Sequence, residues 1–422
     1  MSRIFKIYGG LPKSIYILFL ARIINSVGSF VFPFLTLYLT SKIGLSEEQV
    51  GFYVMLSSIA GIPGNFIGGF LSDKLGRKAI FITVQVISAI LLIPCAFLSK
   101  SMLVPWLLIT SNVFANAARP VNTAMVSDLT SGEDRRKAQS LLYLGINIGF
   151  SAGPIIAGFL FKNHTPWIFI GDAFTTITAM TLVFLYVGET KPNLDSNEEY
   201  TENLYPDENP VECSTLEALL KKPILLTFCF ISSLLTFVYS QHTFTLPIYM
   251  NNIFGDFGAR NFGMLMTTNG LVVVFMTTLS TYLTRRFTSI ANVSIAGIFY
   301  AAGFGLLYFV NSMPGFFIST AIWSVGEILI TTNNNVYIAA HTPSSHRGRF
   351  NAILPFISFN LGLMLGPLVI GRYMKVIGIR NVWMVCFILA AIASILLWLL
   401  YRIEGHYNKR KNNCGLAEKV MQ

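Results

Sequence analysis

Charge is scarce in this sequence. Only 12% of its 422 residues are Asp, Glu, Lys or Arg, about half the usual share, and a soluble fold cannot cover its surface with so few. The two or three soluble domains that the length alone would suggest are therefore excluded. Cysteine is sparse as well: Cys95, Cys213, Cys229, Cys386 and Cys414 are scattered, with no C-x-x-C. That excludes a disulfide framework and a metal cluster. There is no P-loop and no triad arrangement, so neither ATP drive nor enzymatic chemistry is expected, and no cofactor or metal is implied. No small-residue cleavage pattern follows Arg3, Lys6 and Lys13, so the first apolar run is expected to be retained. What the chain does have is apolar sequence: 53% of its residues, 35 of them Phe, with a mean hydropathy of +0.60. These residues come in runs of about twenty, the length that crosses a bilayer as a helix. The expected fold class is an all-α membrane protein.

Apolar periodicity between polar breaks gives twelve spans, at 14–41, 47–72, 77–99, 102–128, 137–161 and 166–187, then 223–250, 258–284, 289–311, 315–341, 347–374 and 380–402. Ser46-Glu-Glu-Gln49 reads as a capping box opening span 2. Pro105 and Pro166 fall in the first turns of spans 4 and 6, where proline is tolerated. With the N-terminus placed inside, 21 of the 30 basic residues lie on inside segments, 7 outside, and only Arg22 and Arg119 within spans. The net charge of +10 is thus topology rather than a nucleic-acid footprint. Both termini are expected in the cytoplasm, and the chain in the plasma membrane.

The longest break, 188–222, carries nine acidic residues from Glu189 to Glu217 together with Pro192, Pro206 and Pro210. It reads as a solvated acidic linker, with Thr215 to Leu220 a candidate surface helix, between six-span bundles at 1–187 and 223–422. The halves repeat. Arg135-Arg-Lys137 precedes Gly149-x-x-x-Gly153-Pro154-x-x-x-Gly158, and Arg347-Gly-Arg349 precedes Gly362-x-x-x-Gly366-Pro367-x-x-x-Gly371, so every Gly and Pro recurs at an offset of 213. Two parallel six-span repeats are the layout of a rocker-type secondary transporter.

Between spans 2 and 3 stands Gly69-Phe-Leu-Ser-Asp73-Lys-Leu-Gly76-Arg77-Lys78. Gly69 is expected to let span 2 pack closely on a neighbour, Gly76 to permit a very short turn, and Asp73 to hold a basic partner or a helix N-terminus. Arg77 and Lys78 are expected to anchor at lipid headgroups. The stretch resembles motif A of the major facilitator superfamily, G-x-L-x-D-x-x-G-R-K. That resemblance implies two pseudo-symmetric six-helix bundles and makes Asp73 a conformational latch, with Arg135 in the same cytoplasmic region. In the second half Arg285 stands where Asp73 stands in the first. Gly149, Gly153, Pro154 and Gly158 in span 5 resemble the superfamily's antiporter motif, with Ala157 replacing one glycine. Small residues at this spacing also suit close helix packing.

Charges inside spans are the short list for mechanism. Glu327, about twelve residues into span 10, is the candidate proton carrier, and its Gly-Glu-apolar-apolar setting resembles the lactococcal multidrug transporter type of drug/proton antiporter. Asp128, at the span 4–5 corner, is either a coupling carboxylate or a helix-end charge. Arg119 is expected to face an interior, although the superfamily's downstream Q-G is missing and Pro120 follows directly. Asp172 and His242 are further titratable candidates, His242 lying toward the outer end of span 7. Arg22, Asn25, Tyr239, Gln241, Asn333 and Asn335 are candidate cavity groups, and of the two span 10 asparagines one is expected to line the cavity and the other to make a helix contact. Phe32, Phe34, Phe237 and Phe244 are candidate apolar walls. Spans 5 and 7 are acid-free over 138–161 and 223–250. The expectation is a proton-coupled antiporter exporting drugs or other amphipathic molecules, with small-molecule substrate, protons and the bilayer as partners and a monomer as the working unit. A symporter for a sugar, organic acid or peptide is the rival, although the peptide carriers' span 1 pattern is absent. A non-transporting receptor or lipid-handling protein is the rival from another class.

Overall fold

The structure is a computed structural model that describes residues 8–98, 100–191, 219–220, 222–342, 350 and 353–420, with backbone alone at 407–420. Most of the acidic linker, Cys213, Arg347 and Arg349 lie outside the described residues. The described residues form helices and no strand. We number the α-helices α1 Lys13–Val27, α2 Val31–Tyr38, α3 Glu47–Leu75, α4 Arg77–Phe97, α5 Leu103–Leu129, α6 Gly132–Phe161 and α7 Thr165–Tyr186. They continue as α8 Pro223–Ser240, α9 Thr245–Phe254, α10 Gly258–Thr284, α11 Ser289–Leu306, α12 Met313–His341, α13 Leu361–Ile377 and α14 Ile379–Val420.

Ten stretches are long and apolar enough to cross a membrane, and one of them, Pro223–Thr284, holds both span 7 and span 8. Helix α5 is not among the ten, because Asn112, Asn116, Arg119 and Asn122 interrupt its apolar run. With α5, each of the twelve expected spans has helix among the described residues, span 11 over Ile353–Ile377. Span 5 begins earlier than expected, at Gly132, and the last helix runs past its expected end. Two spans are broken in register: span 1 between Val27 and Val31, and span 7 between Ser240 and Thr245.

The expected cap at the start of α3 is formed. The Ser46 hydroxyl accepts from the Gln49 N–H, and the Gln49 side chain accepts from the Ser46 N–H at 3.0 Å. The turn after α3 is a single residue, Gly76, at φ 106°, a conformation that side chains disfavour. Close packing of α3 does not come from Gly69, where an added Cβ would meet only Pro120, at 4.0 Å. It comes from Gly64 and Gly68, where a Cβ would overlap the carbonyls of Val113 and Ala117 on α5. Glycines at helical spacing let the two backbones approach to contact.

Grouped by proximity, the chain forms two compact units, one of Met1–Glu199, His242–Val274 and Pro367–Val376, the other of Tyr200–Gln241, Phe275–Gly366 and Ile377–Gln422. Within the first unit, at the end of the spans opposite Gly76, the halves interlock symmetrically. Gly263 lies under the Pro154 carbonyl and Gly51 under the Pro367 carbonyl. Gly158 approaches Ala259, and Gly371 approaches Glu47, with added Cβ positions 2.8 and 2.5 Å from the facing carbonyls. The Lys162 ammonium donates to Asp256 at 2.7 Å beside this crossing.

Overpacking at such a crossing costs about 1–3 kcal/mol. Gly68→Val is expected to lower the thermal unfolding midpoint of the detergent-solubilised protein by several degrees, and Gly69→Ala to leave it unchanged. Equal loss in both variants would contradict the packing described here.

Candidate functional site

The turn between α3 and α4 is the centre of a charge network. The Arg77 guanidinium pairs with Asp73 one turn back, donates to the Asp128 carboxylate at 3.2 Å and donates to the Ser72 hydroxyl at 3.0 Å. Arg77 is only 17% exposed, so it does not reach for headgroups as the sequence suggested. Lys78 does not either: its ammonium donates to the Phe184 carbonyl at 2.8 Å and lies over the Phe184 ring. Asp128 is thus an ion-pair partner of Arg77 in this state. Arg135 donates to the carbonyls of Ser127 and Thr130 and closes the end of α5.

One member of this network was hidden among the linker acids. Helix α4 has no side-chain cap of its own, because its N-cap is Gly76. The Glu189 carboxylate supplies it, accepting the N–H groups of Arg77 at 2.8 Å and Lys78 at 3.2 Å, and those of Thr190 and Lys191 at 2.9 and 3.0 Å. A side chain at Gly76 would meet that carboxylate, 2.6 Å from a Cβ. Glu189 is therefore bound although it remains exposed. Its partners on α4 lie 112 and 111 residues upstream, and no local pattern marks it.

The glycines of the antiporter-like motif act by packing. Cβ atoms at Gly149 and Gly153 would lie 2.7 Å from the Ile23 and Val27 carbonyls of α1, and Gly158 and Pro154 face α10. In the repeat, Gly366 meets Ser240 as Gly153 meets Val27, again 213 residues on.

Asp172 explains the break in span 1. Its Oδ2 accepts the N–H groups of Phe30 at 3.2 Å and Val31 at 3.3 Å, the donors that the start of α2 leaves open. A Cβ at Gly28 would overlap Thr175 on the same face of α7, and Asn25 donates to Thr176 at 3.1 Å. Asp172 makes no ion pair among the described residues.

Arg22 and Arg119 lie in the same unit and act on each other electrostatically. Neither has a carboxylate partner among the described residues. Arg22 lines a cavity of about 10 Å³ with Asn25, Gln85 and Asn122, and its Nε is buried without an acceptor. An Arg within a span costs roughly 2.5–3.5 kcal/mol on insertion scales. Asn112 bonds to Ser57 and Asn116 bonds to Asn112. Positions 112, 116, 119 and 122 follow the helical period, and that polar stripe in span 4 is the signal by which Asn112, Asn116 and Asn122 could have been found.

In the other unit, Glu327 is partly buried and acts electrostatically on the Tyr300 hydroxyl. Tyr300 stacks on Tyr239 at 5.8 Å, and Phe304 stacks on Trp323 at 5.6 Å. Asn333 accepts from Asn292 at 3.0 Å and is the helix contact, whereas Asn335 is exposed. The buried member of the trio is Asn334, which donates to Ser358 at 3.1 Å. Gln241 is fully buried, donating to Ser240 at 2.8 Å, and His242 falls at the break between α8 and α9 rather than on an unbroken helix. Phe34 and Phe244 are core residues, and Phe32 is 37% exposed.

Among the described residues, helical spans with paired glycine crossings and carboxyls and guanidiniums inside them fit a multi-pass membrane transporter. The chain belongs to the major facilitator superfamily, whose family model matches residues 18–354 and 253–418. It is 22% identical to a Na(+), Li(+), K(+)/H(+) antiporter of Planococcus maritimus over 366 residues, covering 80% of this chain and 84% of that one. It is 28% identical to the multi-drug resistance efflux pump PmrA of Streptococcus pneumoniae over 164 residues, 37% of this chain and 41% of the pump. The crystal structure of the nucleoside transporter NupG superposes with a TM-score of 0.73 over 93% of this chain and 99% of its own, at 15% identity, and shares the fold.

Partial burial acts to raise the Glu189 carboxyl, and its four backbone donors outweigh that and hold it below its ordinary value of 4.5. A depressed carboxylate stabilises the fold above its unfolded value, and that contribution disappears as pH falls through the folded one. The unfolding midpoint of Glu189→Gln is expected below that of the wild type at pH 7, with the gap closing under acid conditions beneath pH 4.5. A gap that persists there would show that charge is not what holds the turn.

Proposed function

We propose that this chain is a proton-coupled antiporter that exports amphipathic small molecules by alternating access. The six-span halves 1–187 and 223–422 are its moving bodies, the segment 188–222 joins them, and both termini are cytoplasmic. The observation that carries the reading is Asp172. A carboxylate with no cation on it among the described residues holds two backbone donors at a break in the first span. A proton on that carboxylate removes its charge and weakens both hydrogen bonds, so proton occupancy and the geometry of span 1 are linked at one atom. Glu327 supplies a second membrane carboxyl, beside the buried Tyr300 hydroxyl. The Arg77 network with Asp73, Asp128 and Glu189 braces the first half's side of the latch. The activities of the Planococcus antiporter and the PmrA pump support exchange and drug export.

In proteoliposomes, addition of an amphipathic drug is expected to drive proton movement opposite to drug movement. Glu327→Gln is expected to reduce that proton flux by about tenfold or more, and an unchanged flux removes Glu327 from the mechanism. Asp172→Asn keeps an acceptor for the two N–H groups but cannot exchange a proton, so it is expected to retain folding and lose coupling. Drug and proton moving in the same direction would support uptake by symport instead.

A further inference from the structure

Helix α12 ends in a cluster of titratable side chains that the function proposed above does not use. The His341 Nε2 stands 2.7 Å from the Glu404 carboxylate of α14, and its Nδ1 stands 2.8 Å from the Tyr337 carbonyl one turn back. The Tyr337 hydroxyl donates to the other Glu404 oxygen at 3.1 Å. A carbonyl and a carboxylate only accept hydrogen bonds, and a neutral imidazole carries one N–H and one lone pair. Nδ1 has to donate to the carbonyl, so a neutral ring would aim its Nε2 lone pair at the carboxylate. Two lone pairs at that distance repel. The contact therefore requires one further proton, and on the ring it makes an imidazolium with a donor for each acceptor.

His341 is the last residue of α12, and Glu404 lies past the expected end of span 12. In the topology proposed above this end faces the cytoplasm. The His341 side chain is 35% exposed, so water can deliver and remove the proton, whereas Glu404 is only 14% exposed. The Tyr337 ring lies 4.1 Å from the His341 ring and 4.1 Å from the Phe228 ring of α8, so the cluster joins span 10 to spans 12 and 7. Two other titratable groups act on it among the described residues. Lys222, just before α8, repels the imidazolium, and the Cys229 thiol of α8 faces Tyr337. Glu327 stands fourteen residues earlier on α12, about 21 Å along the helix at 1.5 Å per residue, too far to share this proton.

We propose that His341 and Glu404 form a proton-binding site open to the cytoplasm, separate from Glu327 and Asp172, whose occupancy fastens the end of span 10 to span 12. When the proton leaves, a carboxylate faces a lone pair and the contact opens. Alkalinisation of the cytoplasm thus frees the end of the helix that carries Glu327. The site works in the same way whether the chain exports or imports, so it goes beyond the export reading and takes only the topology from it.

The test is nitrogen NMR of the purified full-length protein in detergent, with isotope-labelled histidine. The ring signals that vanish in His341→Gln are those of His341. At about pH 7.5, a unit above the ordinary histidine value of about 6.5, the ring is expected to be doubly protonated. In Glu404→Gln, whose amide can donate to a neutral Nε2, it is expected to be neutral at the same pH. Hydrogen exchange over the last turns of α12, corrected for its intrinsic rate, is expected to quicken about tenfold or more in the wild type at the pH where the ring loses its second proton. It is expected to stay flat through that pH in His341→Gln, whose amide donates to Glu404 at any pH. A neutral wild-type ring at about pH 7.5 overturns the proposal. So does a doubly protonated ring in Glu404→Gln, or a wild-type ring that stays doubly protonated to about pH 9.5, a permanent ion pair. Exchange that does not change when the ring does removes the fastening and overturns the proposal as well. None of these readouts involves transport, so the export reading can fail while this site stands, and the site can fail while drug-driven proton flux persists.

Discussion

Backbone-to-backbone contact between helices is the constraint on which the rest of this structure depends. At the end opposite Gly76, the carbonyls of Pro154 and Pro367 lie against Gly263 and Gly51. A proline leaves the carbonyl one turn earlier without its helical donor and bends its helix, and glycine opposite lets the bent backbone come in. The two crossings are pseudo-symmetric: Pro367 stands 213 residues after Pro154, and Gly263 stands 212 after Gly51. Neither can loosen by side-chain rearrangement, since there are no side chains between the backbones. Separation of these helices is therefore all or nothing, the property that a two-state carrier requires.

The opposite end is held by different physics. There the Arg77 network and the Glu189 cap rely on charge and on the open N–H groups of α4. Such contacts respond to protons and salt, while the glycine crossings do not. One end thus relies on electrostatics, while at the other the Lys162–Asp256 pair stands beside contacts made by shape. Asp172 brings the first kind of control into the membrane, because it uses a charge to set the backbone of span 1.

The parts of the fold that follow from periodicity were legible in the sequence: twelve spans, the capping box at Ser46 and the 213-residue repeat. The polar members of the Gly76 turn were legible as a motif, though not their directions, since Arg77 turns inward to Asp128 and Lys78 to the Phe184 carbonyl. Gly69 was misjudged because sequence shows that a glycine is present but not which side of the helix meets a neighbour; Gly64 and Gly68 make that contact. The break in span 1 was missed: Gly28, Ser29 and Pro33 are weak local signals of it, and its cause, Asp172, lies 142 residues away. Glu189 was hidden by its acidic neighbours. Each miss is a contact between residues far apart in the chain, and composition and spacing carry no record of such contacts.

The polar stripe of α5 bears on how the protein is made. Asn112, Asn116, Arg119 and Asn122 leave this helix too polar to rank with the other spans as an independent membrane segment. A nascent helix of that kind gains from a partner when it leaves the insertion machinery. The partner has already been synthesised: α3 presents Ser57 to Asn112 and its glycines to Val113 and Ala117. Assembly of the bundle should then begin as a hairpin of α3 with α5 around α4, and a bulky residue on the glycine face of α3 would be felt first as failed insertion of a helix that itself carries no change.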